Sequence, residues 1–349
     1  MPEPQPVSAT VHRYALSLSE ASAAGDTGSR REGALLELKD AEGNAGWGEA
    51  APLPGFSRES TGDAARQLIA LSAPEAPQEE PYPSVRFAME LARLNLKAAS
   101  SGEPLPRLLS PAPRDAVELN ALISGAPQDA PAEASRLREA GYRAVKLKVG
   151  RGPVDEDAEL ARQVSEALGE SVSLRLDANR AWNLDEAMAF ARSLEGLDVE
   201  YVEEPLAEPA LLPRFAAESG LPVALDESLD GMSAAALADH GYASAVVLKP
   251  TLLGGVSRLL ALAARAEDLG MKAIVSSAFE SGVGTLGLVA LAAALPGDGA
   301  PAGLDTYRRL GADVLKPPLE LGPSPDVAEL LGAERELETH HLRSVEAAR

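Results

Sequence analysis

After residue 115, short β-rich runs alternate with helical stretches. The strand candidates are "AVELNALI" (116–123), "AVKLKVG" (144–150), "SLRLDAN" (173–179) and "VEYVEEPL" (199–206), then "PVALDES" (222–228), "AVVLKPT" (245–251), "KAIVSSAFE" (272–280) and "AGLDT" (302–306). Alanine-rich patterns of helical period separate them at 132–140, 155–168, 184–195, 209–219, 232–239, 256–269 and 284–294. Eight strands divided by seven helices predict a closed parallel sheet, a (β/α)8-like barrel. An open doubly wound sheet is the alternative, but no G-x-G-x-x-G follows the first of these strands.

The first third of the chain has a different pattern. Residues 7–17 and 33–40 read as strands of a meander joined by a polar, glycine-bearing loop. "GWGEAAPLPGFSRES" (46–60) is dense in Gly and Pro and reads as a structured loop. Helical patterns follow at 60–72 and 84–100, with a proline-rich surface connection at 73–83. This part is α+β in character.

Composition narrows the function classes. The 349 residues suffice for one large domain with an appendage, or for two domains. No run of eighteen apolar residues occurs, so no transmembrane helix is expected. The start, "MPEPQPVSATVHRY", lacks the basic and apolar regions of a secretory signal. Cysteine is absent, which excludes disulfides and thiolate metal sites and fits a cytoplasmic protein. A formal net charge of −21 repels nucleic acid and anionic membranes, so neither is expected as a partner. That charge is read as a solvated acidic surface, with adaptation to high salt as the sharper alternative. The adjacent His340 and His341 are read as part of a C-terminal tail, either helical or frayed. No apolar patch in the sequence sets an oligomeric state.

In a parallel barrel the working face is the C-terminal edge of the strands. Lys146 and Lys148 share one face of their strand, because alternate residues point the same way. The next strand ends in Asp177, with Arg175 on the same face. Glu203-Glu204-Pro205 and Asp226-Glu227-Ser228 end the two after it, Lys249-Pro250 the next, and Ser276-Ser277 the seventh, with Glu280 and Ser281 just beyond. Singly these are helix caps, turns and snorkelling lysines. Together they place carboxylates on three consecutive strands and lysines on either side. Three carboxylates without His or Cys make an oxygen donor set suited to Mg²⁺, with Mn²⁺ as the substitute ion. Such an ion stabilises negative charge growing on a carboxylate as its α-proton leaves. A lysine beside a second cation holds its proton less tightly, and Lys148, with Lys146 nearby, suits the base. Arg175 is read as orienting or neutralising the carboxylates beside it.

These residues resemble the enolase superfamily in its muconate-lactonising-type subgroup. More narrowly, "PLPGFSRES", "KLKVG", "LRLDANRAW", "EEPL", "LDESL", "VLKPTLLGG" and "GLDT" together resemble the o-succinylbenzoate synthase family of menaquinone biosynthesis. The resemblance runs from about residue 45 to residue 306. It implies a modified (β/α)7β barrel, residues 111–309, under an α+β capping domain formed by residues 1–110 and completed by about 310–349. It also implies Asp177, Glu203 and Asp226 as Mg²⁺ ligands, Lys148 as acid and base, and Lys249 opposite it across a small carboxylate substrate. Lys146 is grouped with the catalytic lysines. Glu204 would lie on the other strand face, in an ion pair or at a helix cap. Gly55, Phe56 and Ser57 are expected in a loop over the pocket, as substrate contacts or only as its shape, and Ser276, Ser277 and Ser281 at the substrate's succinyl end or as caps of the next helix. The implied reaction is elimination of water from 2-succinyl-6-hydroxy-2,4-cyclohexadiene-1-carboxylate. N-succinylamino-acid racemase, dipeptide epimerase and muconate cycloisomerase are sister activities on the same scaffold. Asp305-Thr306-Tyr307, in place of an Asp-x-Asp, weighs against the epimerase. A catalytically inactive barrel serving as a binding protein is the non-enzyme alternative. It would be expected to have lost one of the five charged residues, and all are present.

Overall fold

The computed structural model describes residues 4–19, 30–73, 77–297 and 299–345. The polar loop expected between the first two strands lies largely outside these residues.

The chain opens with an antiparallel meander of β1 (Ser8–Ser17), β2 (Arg30–Lys39) and β3 (Ala45–Ala50). Part of the 46–60 stretch read as loop is therefore a strand. Its glycines serve packing rather than turning. Against β3 lies helix α2 (Pro83–Ser101), which follows α1 (Thr61–Leu71). A Cβ built on Gly48 would come within 1.9 Å of the Ala88 carbonyl oxygen, and one on Gly46 within 2.2 Å of that of Ala92. Only glycine lets the helix backbone approach the strand this closely. Helix α1 starts at a capping box, in which Ser60 and Asp63 satisfy each other's backbone N–H groups.

A short helix, α3 (Leu105–Leu109), leads into the second architecture. Strands β4 (Asn120–Ile123), β5 (Ala144–Lys148), β6 (Ser173–Asp177), β7 (Tyr201–Glu203), β8 (Val223–Leu225), β9 (Ala243–Leu248) and β10 (Lys272–Val275) form one parallel sheet in sequence order. The intervening α-helices are α4 (Ala130–Glu139), α5 (Val154–Leu168), α6 (Leu184–Ser193), α7 (Leu212–Ser219), α8 (Pro250–Leu253) and α9 (Val256–Asp268), and α10 (Gly282–Ala294) follows β10. The helix expected at 232–239 is instead a 3₁₀ segment, Ala235–His240. It is held by i→i+3 bonds such as Ala236 N–H to Ser233 O, and Gly241 ends it before a longer helix can build.

The eighth strand expected at 302–306 does not form as a ladder. Ala302 bridges to Leu119 beside β4, and Gly303 bridges to Ser276 beyond β10, so this short segment joins both edges of the seven-stranded sheet. Hydrogen bonds from Asn120 N to Ala302 O (2.9 Å) and from Gly303 N to Val275 O (2.8 Å) close the barrel. The chain then turns at once into a 3₁₀ helix, Asp305–Arg309.

Side chains alternate as a barrel requires. Leu147, Leu176, Val202, Leu225 and Val246 face the outer helices in the main core. Tyr201, Ala224, Ala245, Val247 and Ile274 pack together as a separate cluster inside. Beyond residue 325 the described chain forms α11 (Val327–Gly332) and β12 (Glu336–Leu337), which pairs with β11 (Leu315–Lys316). Strand β13 (Leu342–Val345) then adds to the meander antiparallel to β1. Among the described residues no helix is long and apolar enough to cross a membrane.

Candidate active site

Parallel pairing brings the charged strand ends to one level. Lys148 lies opposite Asp177, and Asp177 opposite Glu203. The period of two that sends Leu147, Leu176 and Val202 outward sends Lys146, Lys148, Asp177 and Glu203 inward. Asp226 follows β8 directly and Lys249 follows β9.

The side chains meet in an ionic cluster. Lys146 Nζ lies 3.1 Å from Asp177 Oδ2 and 2.9 Å from Glu203 Oε2. Lys148 Nζ lies 2.7 Å from Asp177 Oδ2 and donates to Asn179 Oδ1 at 2.5 Å. Lys249 pairs with Asp226. Burial alone would raise the Asp177 carboxyl, but the ammonium groups of Lys148, Lys146 and Lys249 hold it well below the usual range. Glu203 goes the other way. Complete burial and the negative charge of Asp177 push it upward despite Lys146. Burial opposes the charged form of Lys249, yet Asp226 and Glu203 raise it.

The carboxylates are linked by lysines, and among the described residues no group of three or more His, Cys, Asp or Glu stands as a ready cage for a metal. The donor set nevertheless fits a divalent cation. Three buried carboxylates on neighbouring strand ends supply only hard oxygens. Glu203 is fully buried beside Asp177, with Lys146 as its ion-pair partner.

These groups border a cavity of about 790 Å³, lined among others by Lys146, Lys148, Asp177, Asn179 and Lys249. Of the expected contact residues, Phe56, Ser276 and Ser277 line it. Four lie elsewhere. Gly55 occupies the left-handed region at φ +84° and turns the loop. The Ser57 hydroxyl accepts the Leu53 N–H within that loop. Ser281 is fully buried, its N–H and hydroxyl both given to Glu49 of β3. Arg175 is the largest departure. It is 0% exposed and points to the other end of the barrel, where it donates to Glu200, Asn120 Oδ1 and Pro301 O. A residue two places before a strand end sits a full pleat deeper, so sharing the face of Asp177 does not bring it to the mouth.

Several site residues were not singled out from sequence. Asn179 joins Lys148 to Glu227, donating to the Glu227 carboxylate at 3.1 Å. Glu204, whose place in an ion pair or cap was expected, makes both kinds of contact. It pairs with Arg180 and accepts the backbone N–H groups of Asp226 (2.9 Å) and Ser228 (2.7 Å), fixing the turn that presents Asp226. Asn179, Arg180, Glu204 and Phe279 are the non-glycine residues at positive φ among the described residues, and all four follow strand ends. Such backbone conformations cost energy and gather where a site must be held in shape.

Two family models and several known proteins match the chain. The family model "Enolase C-terminal domain-like" matches residues 129–322, and "MenC, N-terminal domain" matches residues 7–96. The o-succinylbenzoate synthase of Haemophilus influenzae is 32% identical over 299 residues, covering 82% of this chain and 85% of that one. That of Edwardsiella ictaluri is 32% identical over 316 residues, covering 88% and 93%. Among solved structures, the L-Ala-D/L-Glu epimerase of Bacillus subtilis superposes with a TM-score of 0.82 at 25% identity, covering 92% of this chain and 95% of that one. The muconate lactonizing enzyme of Pseudomonas fluorescens gives 0.83 at 24%, covering 98% and 100%, and shares the fold. The chain belongs to the enolase superfamily, and within it to the o-succinylbenzoate synthase family.

Proposed function

We propose that this protein removes water from 2-succinyl-6-hydroxy-2,4-cyclohexadiene-1-carboxylate to give o-succinylbenzoate, with Lys148 as the group that moves the proton. The observation that carries the reading is the placing of Lys148 and Lys249 in one cavity around the carboxylates that end successive strands. The proton to be removed lies α to the ring carboxylate and is weakly acidic. Lys148, as the free amine, takes it. The C–O bond to the ring hydroxyl then breaks, and Lys148 returns the proton so that water leaves. The electron pair from the C–H bond becomes the new ring double bond, and aromatisation drives the step.

Asn179 and Asp177 hold the Lys148 Nζ in place from two sides. Lys249 faces the reacting carbon from across the cavity as a fixed positive charge. Asp177, Glu203 and Asp226 are the residues proposed to hold Mg²⁺, or Mn²⁺ in its place. Bound there, the ion would supply positive charge to the substrate carboxylate as negative charge grows on it. We assign the cap to residues 1–110 with 310–349, and the barrel to 111–309. Phe56, from the cap, is the residue proposed to close the cavity from that side.

The purified protein with Mg²⁺ should convert the cyclohexadiene carboxylate to o-succinylbenzoate. It should lose that activity in excess chelator and regain it on adding Mg²⁺. A panel of N-succinylamino acids, dipeptides and muconate tests the sister activities. Efficient turnover of one of those with none of the dehydration would overturn the reading, as would full activity in chelator.

A further inference from the structure

Three charged side chains lining the cavity take no part in the proposed chemistry: Arg151, Asp305 and Arg309. Asp305 is already satisfied, accepting the Leu122 N–H at 2.8 Å and pairing with Arg308. Arg151 donates to the Ser124 carbonyl at 2.7 Å and is otherwise exposed. Arg309 differs. Among the described residues its guanidinium gives one bond, to the Leu122 carbonyl at 2.9 Å, and its buried Nε has no partner. No carboxylate among the described residues lies within ion-pair distance of it. Arginine does not lose its proton in a protein, so this is a charged donor left partly unmet in a cavity wall.

The proposed substrate has two carboxylates. The one on the ring belongs beside the reacting carbon, between Lys148 and Lys249. The other ends the succinyl arm. An ionised carboxylate only accepts hydrogen bonds, so its anchor must have donors to spare. The cavity-lining serines are already engaged: the Ser276 hydroxyl donates to Gly303 O, and the Ser277 hydroxyl is shared between Gly303 O and the Thr306 hydroxyl. Arg309 has donors to spare. It follows the closing segment 302–303, which neighbours β4, and β4 in turn neighbours the β5 that carries Lys148. Two strand spacings are roughly 10 Å, a distance that an extended succinyl arm and an arginine side chain together can span.

We infer that Arg309, with Arg151 beside it, anchors the distal carboxylate of the substrate and so selects for succinyl-bearing molecules. This rests on the function proposed above. The test is calorimetric binding with Mg²⁺ present, comparing o-succinylbenzoate with 2-butyrylbenzoate, which has a methyl group where the distal carboxylate would be. Arg309→Gln should weaken o-succinylbenzoate binding about tenfold to a hundredfold, the worth of a charge-assisted bond. It should leave 2-butyrylbenzoate binding unchanged, which also shows that the variant is folded. Arg309→Lys should fall between. Equal losses for both ligands, or no loss for either, would overturn the inference. Turnover by the unmodified protein in the same preparation separates the two readings. If it dehydrates the substrate while Arg309→Gln binds normally, only the anchor fails. If it does not, the function fails and the anchor with it.

Discussion

Replacing Arg31 by alanine tests how the cap and the barrel are held together above the cavity. Arg31 is 4% exposed, and its guanidinium joins two loops that meet there. It donates to the carbonyl oxygens of Ala51 and of Pro52 (2.7 Å) on the cap side. On the barrel side it donates to those of Ala278 (3.0 Å) and Phe279 (2.9 Å). Leu53 and Phe56 of the first loop and Ser277 and Phe279 of the second line the cavity. Alanine removes all of these donors. The Phe279 carbonyl, being only partly buried, can turn to water. The buried carbonyls of Ala51, Pro52 and Ala278 cannot, and each costs about 1 kcal/mol or more when left unpaired. A loss of about 3 kcal/mol follows, which for a large chain lowers Tm by about 6 °C. Because the loops shape the cavity without touching the reacting bond, KM should rise more than kcat falls. Differential scanning fluorimetry and steady-state kinetics read the two effects. A variant with Tm within 1 °C of the parent and unchanged KM would refute the idea that Arg31 holds these loops in register.

Asp226→Asn removes one formal charge from the proposed Mg²⁺ ligands while keeping their shape, so the Mg²⁺ concentration for half-maximal activity should rise at least tenfold; an unchanged Mg²⁺ titration would take Asp226 out of the set. At the other end of the barrel, burial disfavours the Glu200 carboxylate, but bonds and charge from Arg175 and Lys272 hold its pKa below the ordinary glutamate value. A lowered folded-state pKa gives stability that is present above the unfolded pKa and lost as pH falls through the folded one. The Tm gap between the parent and Glu200→Gln should therefore be widest near neutrality and shrink below about pH 4.3; a gap constant with pH would show that the lost stability is not ionic.

The barrel and its charged mouth were legible because both follow from a period of two. Lys146, Lys148 and Asp177 lie on one face by alternation alone, and each strand ends where its apolar run ends. What was not legible depends on contacts between distant segments. Gly46 and Gly48 look like loop residues until α2 is known to press against β3. "AGLDT" has the composition of a strand, but it closes the barrel with single bridges because it must meet two sheet edges at once. The sequence placed Arg175 on the correct face and gave no measure of depth, and its partners Glu200 and Pro301 lie 25 and 126 residues away along the chain. Ser281, expected as a substrate contact or a cap, does stand at the N-cap of α10, but its hydroxyl makes no cap bond and is held by Glu49, 232 residues distant. Asn179 could have been found. It stands two residues after Asp177, close enough for a short polar side chain to reach the lysine on the neighbouring strand.

The central claim is that Lys148 handles both proton steps while Lys249 contributes only charge. It is tested most directly by measuring dehydration and α-proton exchange with deuterated water in Lys148→Arg and Lys249→Arg. Arginine keeps the charge but is too basic to accept the proton. The account predicts that Lys148→Arg loses both dehydration and exchange, and that Lys249→Arg keeps more of both than Lys249→Ala does. Near-normal dehydration by Lys148→Arg would contradict it.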